Sequence, residues 1–84
     1  MKAIIDGKLY DTKKAKNILT WRRSDFKCLL NLYKTAKDNY FTTEEYRLYA
    51  EMNLKVLPAS EAKCLLMRLD VDKYIELFGE VEEA

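Results

Sequence analysis

Side chains that carry most enzyme chemistry are scarce in this sequence. Histidine is absent, which excludes Ser-His and Cys-His pairs and an imidazole proton shuttle. Glycines stand only at positions 7 and 79, so they cannot form a Gly-rich phosphate-binding loop. Carboxylate pairs such as Asp70-x-Asp72 lie where helix starts and surface acids are expected, whereas an acid/base dyad needs burial and convergent geometry. We therefore predict that the protein is not an enzyme and has no catalytic residues.

The only thiols are those of Cys28 and Cys64. Both lie within apolar patterns, so we predict that both are small hydrophobic core residues in a reducing compartment and not a disulfide. Burial would also blunt the nucleophilicity of either thiol. Neither cysteine belongs to a Cys-x-x-Cys pair, so a zinc site is not expected. The sequence thus predicts neither a metal nor a cofactor.

One candidate binding site is a basic cluster around Trp21. Cations beside an aromatic ring suit phosphate contacts and base stacking. Alternatively, the tryptophan packs into the core at the end of a helix and the lysines form a solvated face. If the cluster binds nucleic acid, the residues that carry it are Lys13, Lys14, Lys16, Arg22, Arg23 and Lys27.

A second candidate is a tyrosine-rich surface for a protein partner. The chain has six tyrosines, and tyrosine is enriched at interfaces because it offers rigid amphipathic area at low entropic cost. Some of these rings must also complete a small core. The predicted partner-binding residues are Tyr40, Tyr46, Arg47 and Tyr49. We rank this hypothesis above nucleic-acid binding.

Positive and negative residues are unevenly divided along the chain. Residues 1–37 hold ten Lys and Arg against three Asp and Glu, a net +7; residues 38–84 hold five against eleven, a net −6, which together give the +1 of the whole chain. Two faces of opposite potential result if the halves stay apart in space. The fields largely cancel if the halves interleave, and the sequence leaves both arrangements open.

The length of 84 residues predicts a single domain, residues 1–84. Asp6 directly follows the short apolar pair at positions 4 and 5, so we expect no signal peptide. No apolar run approaches the roughly 20 residues that a membrane-spanning helix needs. We expect a cytoplasmic protein with no membrane contact.

The first half of the chain predicts a hairpin, a helix and a pair of strands. Asp6-Gly7 between two short apolar segments is typical of a two-residue β-turn. Asp11 can then cap a short helix over residues 13–20. Residues 25–34 alternate between apolar and polar side chains, which indicates a strand. A polar turn and a returning strand at residues 40–43 follow.

Residues 44–52 fit two structures. Thr42-x-x-Glu45 matches a capping box and favours a helix. The alternation of Tyr46, Leu48, Ala50 and Met52 instead favours a longer strand. We predict the helix.

The C-terminal part predicts one more strand and two helices. Residues 54–57 form the strand, which Pro58 ends. Apolar residues then recur at helical spacing in two segments, with Asp70 or Asp72 as the cap of the second helix and Gly79 at its end. The predicted fold class is α+β: a small antiparallel sheet that starts with a β-hairpin, with helices packed on one face and two helices at the C-terminus.

The segments M-K-A-I-I-D-G-K-L-Y-D-T at residues 1–12 and Y-I-E-L-F-G-E-V-E-E at residues 74–83 resemble the two ends of a family of short proteins carried on plasmids, integrative elements and phages of Gram-positive bacteria. Residues 1–12 match the start M-K-x-I-I-x-G-K-x-Y-x-T, and residues 74–83 match the ending Y-x-E-L-F-G-E-V-E-E. Residues 25–34 and 40–41 fit the family's strand–turn–strand segment. After position 41 the family often has a G-E-G-G-like stretch, where this chain has T-T-E-E.

This resemblance implies a function that composition and spacing do not show. Small proteins of this kind on mobile elements include anti-CRISPR proteins, which are similar to this chain in size and in their lack of catalytic residues. The resemblance therefore implies stoichiometric inhibition of a type II RNA-guided nuclease, by blocking DNA loading or cleavage. The alternative function is a small nucleic-acid-binding accessory protein that uses the basic N-terminal half.

Overall fold

The computed structural model describes residues 1–22, 28–46, 50–79 and 82–84. It confirms the α+β class, with a two-stranded sheet, a four-stranded antiparallel sheet of order β3-β4-β5-β6, and two C-terminal helices. The elements are β1 (Lys2–Ile5), β2 (Lys8–Asp11), β3 (Lys16–Arg22), β4 (Cys28–Lys34), β5 (Tyr40–Tyr46), β6 (Met52–Leu57), α1 (Ala59–Leu69) and α2 (Val71–Phe78).

The predicted N-terminal hairpin is confirmed as a sheet of its own. β1 and β2 pair antiparallel with Ile5 opposite Lys8. Asp6 and Gly7 have φ angles of 51° and 73°, and a type I′ turn needs positive φ at both positions. Its twist matches that of the flanking strands, which explains why this short ribbon forms.

The predicted helix over residues 13–20 is wrong, because β3 occupies most of that segment. Its first turn is nevertheless present. The backbone carbonyl of Asp11 accepts hydrogen bonds from the N–H groups of Lys14 at 3.2 Å and Ala15 at 3.0 Å. One Asp11 carboxylate oxygen also accepts from the N–H of Lys13 at 2.9 Å. The cap therefore closes a single turn, after which the chain enters the sheet.

A β-bulge explains why β3 has the apolar spacing of a helix. The register of β3 against β4 shifts between Asn17 and Leu19, so Ile18 and Leu19 are both buried although they are adjacent. The side-chain oxygen of Asn17 accepts a hydrogen bond from the backbone N–H of Leu19 at 3.1 Å. Trp21 lies further along the same strand and packs against the core, so its predicted place at a helix end is also wrong.

The predicted helix in residues 44–52 is wrong where the structure describes it. β5 continues to residue 46 as a strand. Thr42 is not a helix cap, because it pairs with Lys55 of β6 in the ladder. Residues 47–49 lie outside the described residues, as do residues 25–27 of the strand predicted over 25–34.

The C-terminal helices form as predicted. Asp70 caps α2 through a carboxylate oxygen that accepts from the N–H of Lys73 at 3.0 Å. Gly79 follows the helix with a φ of 98°, which suits a residue without a Cβ. Leu69 and Val71 belong to the apolar spacing of the two helices, but both side chains are exposed. Within the described residues, neither helix is long and apolar enough to cross a lipid bilayer.

Both faces of the four-stranded sheet are covered, as two separate clusters show. The helices cover one face and bury an aliphatic cluster that includes Leu32, Leu57 and Leu66. The opposite face carries a smaller cluster of Tyr10, Tyr33 and Phe41, to which the N-terminal hairpin contributes the first ring. The hairpin therefore packs on the sheet face that the helices leave open.

Candidate macromolecule-binding surface

The predicted tyrosine surface does not form as a unit. Tyr40 is only 3% exposed and lies in the core beneath the helices, so its assignment to a binding surface is wrong. Tyr46 is half-buried and donates a hydrogen bond from its hydroxyl to Glu44 at 3.1 Å, and this bond raises the pKa of the phenol. Arg47 and Tyr49 lie outside the described residues.

The predicted basic cluster is divided along β3. Lys13 and Lys14 lie in the turn after β2 and Lys16 begins β3, and all three are exposed. Arg22 is at the far end of that strand, about 20 Å away at roughly 3.3 Å per residue. The structure therefore groups three of the predicted cations. The remaining two, Arg23 and Lys27, lie outside the described residues.

An exposed apolar pair stands on the outer face of the hairpin. Ile4 and Leu9 are cross-strand partners, and their side chains are 76% and 51% exposed. Cross-strand partners point to the same side of a ribbon, so the two side chains form one apolar spot. Lys2 and Lys8, both exposed, belong to the same two strands. By strand alternation Lys2 lies on the same face as Ile4, whereas Lys8, opposite Ile5, belongs to the inner face. We call Lys2, Ile4 and Leu9 the hairpin surface.

The charge around the hairpin surface is positive. Residues 1–16 contain five lysines and two aspartates, a net +3. Asp11 is buried and its carboxylate is occupied by a backbone N–H. In the parts of the chain that the structure describes, the ion pairs join Lys34 to Asp38 at 2.6 Å and Lys73 to Glu76 at 3.0 Å. The lysines of residues 1–16 are therefore available to an external anion.

The two halves of the chain do not interleave within the four-stranded sheet. β3 and β4, from the basic half, lie on one side of the sheet, and β5 and β6 lie on the other. The helical segment, residues 59–79, holds four acidic and three basic residues, a net −1. The described residues of 38–46 and 50–57 hold four acidic residues and one lysine, a net −3, so the lysine-rich segment at residues 1–16 is the positively biased part of the described chain.

Aromatic contacts hold the hairpin against the sheet. The rings of Tyr10 and Phe41 form a T-shaped pair with centroids 5.5 Å apart, and Phe41 stacks on Tyr33 at 5.0 Å. At the open end of the hairpin, the N–H of Thr12 donates to the carbonyl of Met1 at 3.0 Å. The outer face is therefore presented by a ribbon that is tied down on its inner face.

A polar network continues the hairpin side of the sheet beyond the aromatic rings. One carboxylate oxygen of Glu51 accepts hydrogen bonds from Asn31 at 3.1 Å, from the Tyr33 hydroxyl at 2.6 Å and from Thr43 at 3.0 Å. Burial and this bond to Glu51 raise the pKa of Tyr33. Because Thr20 also donates to Asn31 at 2.8 Å, the network joins side chains of β3, β4 and β5. Each donor of the network has an acceptor within the protein, so the network serves to hold these strands together.

The two cysteines lie in different environments. Cys28 is buried, as predicted, but Cys64 is exposed on α1, so its predicted place in the core is wrong. It borders a shallow, mainly apolar groove of about 320 Å³ along that helix. The other residues that line the groove are Leu57, Ser60, Glu61, Leu65 and Arg68.

The sequence did contain a signal for the hairpin surface that our predictions did not use. Once the hairpin is accepted, strict alternation places Ile5 and Tyr10 on the inner face and Ile4 and Leu9 on the outer face. Apolar side chains on both faces of a two-stranded ribbon indicate that both faces are meant to be covered. The Glu51 network had no comparable signal, because its members are far apart in sequence.

Comparisons of the chain with models of protein families, with curated proteins and with solved structures found no match.

Proposed function

We propose that this chain is a non-enzymatic binding protein of a phage or mobile genetic element that acts by docking on another protein. The observation that supports this most is the pair Ile4 and Leu9, exposed together on a lysine-rich hairpin. Contiguous apolar side chains that a small domain leaves in water are typical of interaction sites. They lower stability or solubility unless a partner covers them.

In its most specific form, the proposal is an anti-CRISPR inhibitor of a type II RNA-guided nuclease. This part rests on the family resemblance of residues 1–12 and 74–83. Such an inhibitor acts in proportion to its amount, either by covering the surface that loads DNA or by blocking the conformational step before cleavage. The net −1 of residues 59–79 does not suit mimicry of DNA, which needs a dense row of negative charges. The proposed inhibitor therefore works by protein contact.

A gel shift of labelled target duplex tests this function, in lanes with and without a guide-loaded type II nuclease and with a cleavage lane beside them. The proposal expects the protein to leave free duplex unshifted and to abolish either the nuclease–DNA complex or its cleavage. A shift of free duplex by the protein alone contradicts the proposal. Unchanged loading and cleavage at stoichiometric excess contradict its specific form.

The second candidate function is that of a nucleic-acid-binding accessory protein, which the exposed group Lys13, Lys14 and Lys16 favours. Phosphate contacts release counterions, so this binding should weaken steeply with salt, roughly tenfold for every few contacts. A protein interface with an apolar centre should change little. Replacement of these lysines with alanine should abolish binding of free duplex if this second function is correct, and Lys55→Ala on the far sheet edge is the matched control.

A further inference from the structure

We infer that the hairpin surface is the docking face of this protein, and that it fits a protein surface with an apolar centre and an acidic rim. The inference rests on the proposed function as a protein-binding chain and adds to it the contact residues and the chemistry of the partner. It does not depend on the partner being a nuclease.

The apolar centre of the partner follows from the position of Ile4 and Leu9. They face each other across the ribbon and are the two most prominently exposed aliphatic side chains of the hairpin. The inner face of the same ribbon already packs on Phe41 through Tyr10, so the outer pair has no role in folding the sheet. A complementary apolar patch would remove both side chains from water.

The acidic rim of the partner follows from the lysines of the hairpin and of the segment that follows it. The net +3 of residues 1–16 is not balanced by any ion pair in the described parts of the chain. Opposite charge at the edge of an interface raises the association rate and suppresses wrong partners. The same charge argues against a second copy as the occupant, because two hairpin surfaces facing each other would bring their lysines together.

Nucleic acid fits this surface less well than an acidic protein does. Single strands are held by stacking on aromatic rings, but Tyr10, the aromatic residue of the hairpin, is buried against the sheet. Ile4 and Leu9 would gain nothing from a phosphate backbone. An apolar centre within a charged rim is instead the usual plan of a protein interface.

The hairpin is also pre-organised for docking. Its type I′ turn, the aromatic contact of Tyr10 with Phe41, and the bond between Thr12 and Met1 fix the ribbon before a partner arrives. Little conformational entropy then remains to be lost on binding. The surface can therefore be tested in the free protein.

The test is an NMR titration of the full chain with labelled methyl groups, using three probes. They are a short synthetic peptide of alternating Glu and Leu, a matched peptide of Glu and Ser, and a short DNA duplex. The variant Ile4→Thr/Leu9→Thr removes the apolar pair but keeps β-propensity on the ribbon. Val71→Thr is its matched control, because Val71 is an equally exposed aliphatic residue on the helical side.

The inference expects the Glu/Leu peptide to shift the Ile4 and Leu9 methyl signals and to bind roughly tenfold more tightly than the Glu/Ser peptide. The double variant should lose that difference, and Val71→Thr should keep it. Shifts confined to the helices, equal binding of both peptides, tighter binding of the duplex, or no shift at Ile4 and Leu9 would each overturn it. If the protein does not inhibit the nuclease but the peptide titration gives the expected shifts, only the anti-CRISPR role is rejected. If the protein inhibits the nuclease but the titration does not give the expected shifts, only the hairpin surface is rejected as the docking face.

Discussion

The two faces of the four-stranded sheet are completed in different ways. On one face, α1 and α2 bury an aliphatic cluster centred on Leu32 and Leu66. On the other, a two-stranded ribbon packs through Tyr10 on Phe41, which stacks on Tyr33, beside a network of polar side chains around Glu51. The helical face supplies most of the apolar burial. The ribbon face buries less and leaves an apolar pair in water, so the difference separates the part that stabilises the domain from the part that presents a surface.

The largest expected effect comes from the ring that joins the ribbon to the sheet. Phe41→Ala should lower the free energy of unfolding by about 4 kcal/mol, since it empties a fully buried site. It should also release the hairpin, because Tyr10 packs on that ring. Urea unfolding combined with amide hydrogen exchange of residues 2–11 measures both effects.

Leu66→Ala is the matched change on the helical face. We expect it to lower the free energy of unfolding by about 3 kcal/mol. The hairpin amides should remain protected from hydrogen exchange relative to the other amides of the same variant. If the phenylalanine variant is too unstable to study, Phe41→Leu gives the same comparison with a smaller cavity. Hairpin amides that stay protected in both Phe41 variants would show that the ribbon does not depend on this ring.

The Glu51 network should carry the next largest effect. Glu51→Ala removes the acceptor of three hydrogen bonds, all from buried residues: Asn31, Tyr33 and Thr43. Leaving buried donors without a partner should cost about 2 kcal/mol. Glu61→Ala, an exposed residue on α1, should cost less than about 0.5 kcal/mol in the same urea titration. Equal losses of unfolding free energy in the two variants would show that the Glu51 network does not stabilise the fold.

The same network predicts a loss of stability at alkaline pH. Burial and the bond to Glu51 raise the pKa of Tyr33 above its ordinary value of 10.0, so the folded state holds the phenol proton more tightly than the unfolded state does. This contribution is complete below about pH 10 and is lost as the pH rises towards the folded-state pKa. Tyr33→Phe should flatten the decline of stability. The smaller remaining part is due to Tyr40, whose pKa is raised by burial, and to Tyr46 and Lys34, whose pKa values are raised by their hydrogen bonds to Glu44 and Asp38. A profile unchanged by the variant would contradict this origin.

The cap of α2 should contribute less. Asp70→Ala removes the carboxylate that accepts from the N–H of Lys73 and should cost about 1 kcal/mol. Asp72→Ala, in the first turn of the same helix, changes the charge near the helix start without removing the cap bond, so it should cost about half as much or less. Thermal unfolding monitored by circular dichroism compares them. A larger loss in the Asp72 variant would contradict the capping role.

The smallest expected effect belongs to the surface proposed for binding. Ile4→Thr/Leu9→Thr should change the free energy of unfolding by less than about 0.5 kcal/mol, because both side chains are already in water. The same urea titration used for Phe41→Ala measures it. A loss as large as that of a core variant would mean that the pair stabilises the domain and does not serve as a display surface.

Local signals in the sequence predicted much of this architecture. The Asp6-Gly7 turn and the glycine at position 79 each act through their immediate neighbours and were predicted correctly, and Asp70 is one of the two residues predicted as the cap of α2. β3 was not predicted correctly. Its bulge at Ile18 places two adjacent apolar residues inward, so the strand has the apolar spacing of a helix. Asp11 added to the error, since it does form the predicted cap and then closes one turn only.

The candidate sites depended on contacts between distant parts of the chain, which periodicity does not reveal. Tyr40 resembled an interface residue by type, yet it lies under α2 with its ring centroid 6.3 Å from that of Phe78. Glu51 had no distinguishing neighbour, and only the pairing of β4 with β5 brings Asn31 and Thr43 together beside it. Ile4 and Leu9 could have been identified from the hairpin alone, because a ribbon packs only one of its faces on the sheet.

The most direct test of the central claim compares wild-type protein with Ile4→Thr/Leu9→Thr in competition for a guide-loaded type II nuclease. The measured quantity is the protein concentration that halves binding or cleavage of labelled target duplex. Docking through the hairpin surface predicts inhibition by the wild type, with roughly tenfold or more of the double variant needed for the same effect. Equal potency of the two proteins would contradict the hairpin as the docking face. Absence of inhibition by the wild type would contradict the proposed target.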